Sequence, residues 1–340
     1  MDSRIKISLF AIAIVLLFVA NLVCGSVDIP ASEVFRIIMG EKAGKASWEF
    51  IVIQSRLPQA VTAMLCGSSL AASGLLLQTY FHNPLAGPSI LGITNGAALG
   101  VAIVMLVTGG VIVSPTSGDS GLHLVGHVAV VVAAFGGAMA VIALLLFVTK
   151  FIRSSLAILI LGIMVSYLTS SVVSLCNFFA NADSVHNYVN WGMGSFSNVS
   201  QAYLPLFCGL CFIGLLIALL LIKPLNGILL GENYAMNLGF NIQTTRMLIL
   251  LSTGILTAIT TAFCGPVAFI GLAVPHIARL ITKEADHKIL LPATILIGAV
   301  IALLCNLICA MPENLIIPLN AVTPIFGAPV IIYIILKRQF

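Results

Sequence analysis

Charge is what this chain has least of. Asp, Glu, Lys and Arg make up 8% of its 340 residues, where soluble domains carry about 25%. Apolar residues make up 60%, and the mean hydropathy is +1.16. A water-soluble fold cannot hide that much apolar surface, so soluble enzymes and nucleic-acid-binding modules are excluded and the chain belongs in a bilayer. The eight cysteines lie scattered through apolar runs without a paired framework. They read as small buried hydrophobes.

Several kinds of chemistry are missing as well. Every Asp, Glu, Lys and Arg falls in a loop or near the end of an apolar run. Mid-span carboxylates mark proton relays, so their absence weakens a proton-driven carrier, although sodium coupling through carbonyl and amide oxygens stays open. The nearest approach to a phosphate-binding loop is Gly40-Glu41-Lys42-Ala43-Gly44-Lys45-Ala46. It is one residue short and ends in Ala instead of Ser or Thr. No His-Glu-x-x-His motif occurs. No catalytic residue, metal site or cofactor is therefore assigned to this chain, and its source of energy is expected elsewhere. His123 and His127 share a helix face, and His186 and Met193 follow in the next outer connection. Transient haem ligation by them competes with plain packing, which is the favoured reading.

What is present is a series of apolar runs near 5–24, 57–80, 89–107, 124–149, 154–180, 202–222, 245–264, 267–282, 289–310 and 321–336. A bilayer core needs about 20 apolar residues per helix, so the expectation is an all-α polytopic protein of ten transmembrane helices. It is expected to form a single transmembrane domain over residues 1–340. The first run is read as a retained helix, because Leu22 and Val23 do not fit a signal-peptidase site. With both termini cytoplasmic, 11 of the 15 basic residues lie inside, as the positive-inside rule prefers. In the polar stretch 25–56, Val34, Ile37 and Ile38 predict a short surface helix.

Pro and Gly cluster twice, at His82-Asn83-Pro84-Leu85-Ala86-Gly87-Pro88 and at Cys264-Gly265-Pro266 through Pro275-His276. Paired breaks on opposite faces suggest an inverted repeat of helices 2–5 and 7–10. Two ordinary tight turns would read the same.

The order of the motifs is more specific than any one of them. The run Arg56-Leu57-Pro58, Gly67, Ala71, Gly74, Gln78, Asn83-Pro84-Leu85-Ala86-Gly87-Pro88, Leu91-Gly92 and Gly96-Ala97 resembles the FecCD family. The resemblance continues through Trp191-Gly192-Met193-Gly194-Ser195-Phe196, Gly231-Glu232, Leu238-Gly239, Gly265-Pro266, Phe269-Ile270-Gly271-Leu272, Pro275-His276 and Gly327-Ala328-Pro329. That family comprises permease subunits of ATP-binding-cassette (ABC) importers for ferric siderophores, haem and cobalamin.

The resemblance implies a homodimer in the inner membrane, in contact with lipid and not with nucleic acid. Two cytoplasmic ATPases would carry the ATP and Mg, and one periplasmic or lipid-anchored solute-binding protein would dock outside. It implies an ATPase coupling loop near 224–243, with Gly231, Glu232, Tyr234, Ala235, Leu238, Gly239 and Phe240 as its contacts. Tyr234, Leu238 and Phe240 would be its apolar knobs. It implies a cytoplasmic gate at Asn83 and Leu85, with Ser154 and Ser155 as neighbours. It places binding-protein docking at Arg56 and Gln59, where Gln59 replaces a second basic residue. The chain also has Cys305-Asn306 where an Asp is frequent, and Pro318-Leu319-Asn320 where a Pro-x-Gly turn is usual. A translocation path is expected along Ser166, Tyr167, Ser170, Ser174 and Asn177, and along Trp191, Met193 and Phe196. The alternative is an ion-coupled secondary transporter with inverted repeats, which explains the paired breaks but not the motif order.

Overall fold

The computed structural model describes residues 3–42, 44–107, 120–152, 154–311 and 317–338. Among them every regular element is helical. In hydrocarbon each backbone N–H and C=O must find a partner within the protein, and a helix supplies one locally. The elements are α1 (Ser3–Val23), α2 (Ala31–Ile38), α3 (Ala46–Ile51), α4 (Leu57–Tyr80), α5 (Ile93–Ala102), α6 (Ser120–Val148) and α7 (Ser155–Phe179). They continue as α8 (Ala182–Gly192), α9 (Leu204–Leu220), α10 (Ile222–Leu229), α11 (Glu232–Asn237), α12 (Ile242–Cys264), α13 (Ile270–Thr282), α14 (His287–Ala310) and α15 (Leu319–Arg338). Short polar side chains start several of them. Ser154, Asn181, Asn241 and Asp286 each accept a backbone N–H at the first turn of α7, α8, α12 and α14, which satisfies donors that a helix N-terminus leaves open.

The membrane-crossing set differs from the apolar runs in detail. Five described helices are long and apolar enough to span, and α9 with α10 makes a sixth span bent by 48°. Four shorter apolar helices lie within α1, α5, α13 and α15. The second span is longer than its apolar run. A π-helical turn over Val52–Arg56 joins α3 to α4, so helix continues from Ala46 to Tyr80. The surface helix forms as α2 with Val34 and Ile37 buried, but Ile38 faces outward. Behind it the Glu33 carboxylate accepts the Gly44 N–H and meets Arg36, and these contacts hold its pKa below the usual carboxylate value.

The packing has an exchange symmetry. α4 packs against α13 and α14, and α12 packs against α5 and α6. The set α5–α6–α7 is matched by α13–α14–α15, while α4 and α12 meet each other. α4 and α12 thus hold corresponding places in the two sets. This two-fold correspondence is the pattern that a repeat of the two halves would give. α5 and α13, the corresponding helices, each begin after a residue of positive φ, Gly92 (77°) and Phe269 (66°). Glycine permits the closest crossing: a Cβ on Gly74 of α4 would overlap the Gly271 carbonyl of α13, so only a bare Cα fits.

Candidate functional site

The two broken segments meet. Leu85, Gly87, Pro88 and Ile90 from the first, and Val267, Phe269 and Gly271 from the second, line one cavity of about 200 Å³ beside Leu70 of α4. Pro84 forces the preceding residue out of helical geometry. The Asn83 carboxamide oxygen then accepts the Leu85 N–H at 2.9 Å, which closes a turn. The Pro84 carbonyl accepts from His276 Nε2 of α13 at 2.7 Å. Two further bonds reach from α13 to α4: Arg279 donates to Gln78 Oε1 at 2.6 Å, and Gln78 donates to the Leu272 carbonyl at 3.1 Å. Leu85 is left exposed at the tip. Ser154 is exposed and caps α7, and Ser155 beside it is half-buried. Gln78, His276 and Arg279 had no role in the sequence reading. Their partners lie about 200 positions away, so only the fold brings them together.

α7 lies at the periphery: 22% of its apolar window is buried, against 83% for the α4 span. Tyr167, Ser170 and Ser174 sit on its exposed side at spacings of three and four, which is one helix face. Ser166 and Ser174 donate to the carbonyls of Gly162 and Ser170, one turn earlier. Asn95 of α5, another residue the sequence did not single out, donates to the Ser166 carbonyl at 3.3 Å and to Ser170 Oγ at 3.4 Å. Asn177 donates to Val173 O at 3.1 Å. Met193 is exposed after α8.

Trp191 lies in the last turn of α8, and Phe196 follows just beyond it. Both are buried in the apolar core. The reason is the neighbouring backbone: Ser195 N–H donates to the Cys264 carbonyl at 2.8 Å, and Asn320 donates to the carbonyls of Gly192 (3.0 Å) and Pro266 (2.7 Å). These bonds clamp 192–195 against the start of the second break. Asn320, a departure from the family turn, is therefore a junction. His186 is paired with Asn190 at 2.9 Å, and the side chains of His123 and His127 lie outside the described residues. Among the described residues no three of His, Cys, Asp and Glu gather as metal ligands would.

The residues expected to form the ATPase coupling loop lie on and around α11. α10 buries Leu225 and Ile228, and α11 buries Ala235. Gly231 and Gly239 flank α11 with φ of 113° and 86°, values that suit glycine alone. Tyr234, Met236 and Leu238 face outward. Phe240 is not a knob: it turns back onto Gly227 and Ala235 and is half-buried. Met236, which the sequence did not flag, is exposed in its stead.

The two residues expected to dock a binding protein, Arg56 and Gln59, are held by partners within the chain. Arg56 is 6% exposed. Its guanidinium donates to the carbonyls of Leu22 (2.9 Å), Val23 (2.7 Å) and Val27, at and just beyond the C-terminus of α1. A helix C-terminus leaves carbonyls without partners and draws a cation, so Arg56 is turned inward. Gln59 also points in, donating to Asn306 at 2.9 Å, and Asn306 donates to Asn21 at 2.7 Å.

Residues 13–337 match the FecCD transport family. The chain belongs to that family. It is 32% identical over 302 residues to the vitamin B12 import system permease protein BtuC of Klebsiella pneumoniae, covering 86% of this chain and 85% of that one. It is 29% identical over 347 residues to the uncharacterized ABC transporter permease protein YvrB of Bacillus subtilis, covering 98% and 93%. A solved structure provisionally described as a metal-chelate type ABC transporter, in an inward-facing conformation, superposes with a TM-score of 0.82 at 27% identity. It covers 98% of this chain and 99% of that one. The FecCD chain described here is thus an integral membrane permease of the ABC class, not an enzyme.

Proposed function

We propose that two copies of this chain form the membrane core of an importer for a metal chelate: a ferric siderophore, haem or cobalamin. Two cytoplasmic ATPases bind at α11 and supply ATP hydrolysis with its Mg. A periplasmic or lipid-anchored binding protein delivers cargo at the end that holds α2, and both termini lie in the cytoplasm of the inner membrane. The chain acts as one permease unit. Specificity rests mostly with the binding protein. The path runs along Ser166, Tyr167, Ser170, Ser174 and Asn177, whose hydroxyl and amide groups let a polar chelate slide without holding it, and past the Met193 thioether. Asn83, Leu85, Ser154 and Ser155 close the inner end.

The observation that carries this reading is the exposed apolar surface of α11 and its C-cap. Tyr234 and Met236 on this short helix, and Leu238 at its C-cap, are exposed (Leu238 is 54% exposed), and Ala235 anchors the helix. Apolar side chains displayed together outside the bilayer mark a protein contact. The test joins Glu232→Arg to Leu238→Asp. We expect normal membrane insertion, loss of the co-purifying ATPase, and loss of uptake across a panel of ferric siderophore, haem and cobalamin. Attachment and uptake that survive both changes would sink the assignment of α11. If the unmodified chain emerges from mild detergent alone, without any ATPase, the importer itself is refuted.

A further inference from the structure

Arg246, near the start of α12, has no place in the gate, the path or the ATPase contact. Its side chain is only 5% exposed. Nη1 donates to the Ile152 carbonyl at 3.0 Å, in the turn between α6 and α7 and two residues before Ser154. Nη2 lies 3.8 Å from Glu232 Oε1, the first residue of α11. The guanidinium carbon stands 5.6 Å from the ring centroid of Tyr80, the last residue of α4, within cation–π range. The backbone bonds His82 N–H to Thr79 O (3.3 Å) and Asn83 N–H to Gln78 O (3.2 Å) fasten the next turn to the end of α4. One buried cation therefore touches the coupling helix and the stems of both gate segments. Between α11 and the 149–152 turn lies a cavity of about 600 Å³, lined by Lys150, Glu232, Gln243 and Arg246 among others. Arg246 reaches across that gap.

We propose that Arg246 is a positioning residue that transmits displacement of α11 to the turns carrying Leu85 and Ser154. The inference rests on the importer reading above. A buried guanidinium cannot be left without its acceptors at low cost. When Glu232 moves, the arginine either follows, pulling on Ile152 and Tyr80, or breaks its contacts. The link is therefore stiff, and it acts on two gate elements from one origin.

The experiment uses the complete transporter in inside-out vesicles, with Leu85→Cys as a reporter labelled by a membrane-impermeant maleimide and the unreplaced chain as background. No cargo is needed. In the parent, ATP with vanadate is expected to change the labelling rate by about fivefold or more. In Arg246→Met that response falls to near nothing while the ATPase still co-purifies, and Arg246→Lys restores a large part of it. Tyr80→Leu, which removes the ring under the guanidinium, weakens the response as well and serves as the test if Arg246→Met fails to insert. A full response in Arg246→Met or in Tyr80→Leu overturns the proposal, as does a parent that binds ATPase but shows no response. A parent with no ATPase at all refutes the importer reading instead, and that outcome is seen in the pull-down before any labelling is done.

Discussion

Arg56 and Gln59 show how a charge or an amide near a membrane surface is drawn inward when backbone acceptors wait there. Arg56 satisfies carbonyls at the end of α1, and charge-assisted hydrogen bonds are the strong ones. Replacing it by Gln should cost on the order of 2–3 kcal/mol. We expect a melting temperature lower by several degrees in detergent, with capture of the binding protein retained. Unchanged melting with lost capture would restore Arg56 to a docking surface. Gln59 and Asn306 are one feature, not two. Each departs from the family pattern, a basic residue in one place and an acidic one nearby in the other, and they lie 2.9 Å apart. An amide pair occupies the place where an ion pair would stand, and Asn21 extends it into α1. A neutral pair avoids most of the desolvation cost of two buried charges.

The crossing of α4 and α13 is set by Gly74 and Gly271, whose backbones touch. In lipid, helices associate through close packing of small residues because hydrocarbon offers no hydrophobic drive between them. Gly74→Ala should therefore cost about 3 kcal/mol or more, since backbone cannot yield as a side chain can. Gly87→Ala has nothing within 4 Å of its new methyl and serves as the matched control. Size-exclusion profiles of fluorescent fusions would read the difference. Equal monodispersity of the two variants would mean that the crossing tolerates separation. The repeat gives this crossing its consequence. α5 and α13 both start from a break, and the Gly74 contact holds the second break against the loop that follows Asn83.

At the level of the assembly, α7 is the least covered of the five long spans among the described residues. Its exposed Tyr167, Ser170, Ser171 and Ser174 face either lipid or a second copy. The serine hydroxyls that donate one turn back are tolerated in both settings. The importer reading expects the second copy. In a Cys176→Ser background, Ser171→Cys should form a disulfide-linked dimer on oxidation in native membranes, seen as a doubled mass on a non-reducing gel. A monomer under conditions in which the transporter is assembled would turn this face toward lipid and move the path elsewhere.

Membrane residence, the helical class, the paired breaks and the family were all legible from composition and from the order of short motifs. Each depends on residues close together in the chain: apolar runs long enough to span, Pro and Gly where a helix must stop, Asn83 before Pro84. What the sequence left undetermined was which apolar surfaces face inward. In a soluble helix a polar stripe marks the outside, but in a bilayer both sides are apolar and the stripe disappears. The burial of Trp191 and Phe196 and the turning back of Phe240 could thus not be read from the sequence. The polar partners were hidden for a different reason. Arg246 meets Ile152, Gln59 meets Asn306 and His276 meets Pro84 across 94, 247 and 192 positions. Only the exchange-symmetric packing of the two halves brings those groups within hydrogen-bonding distance.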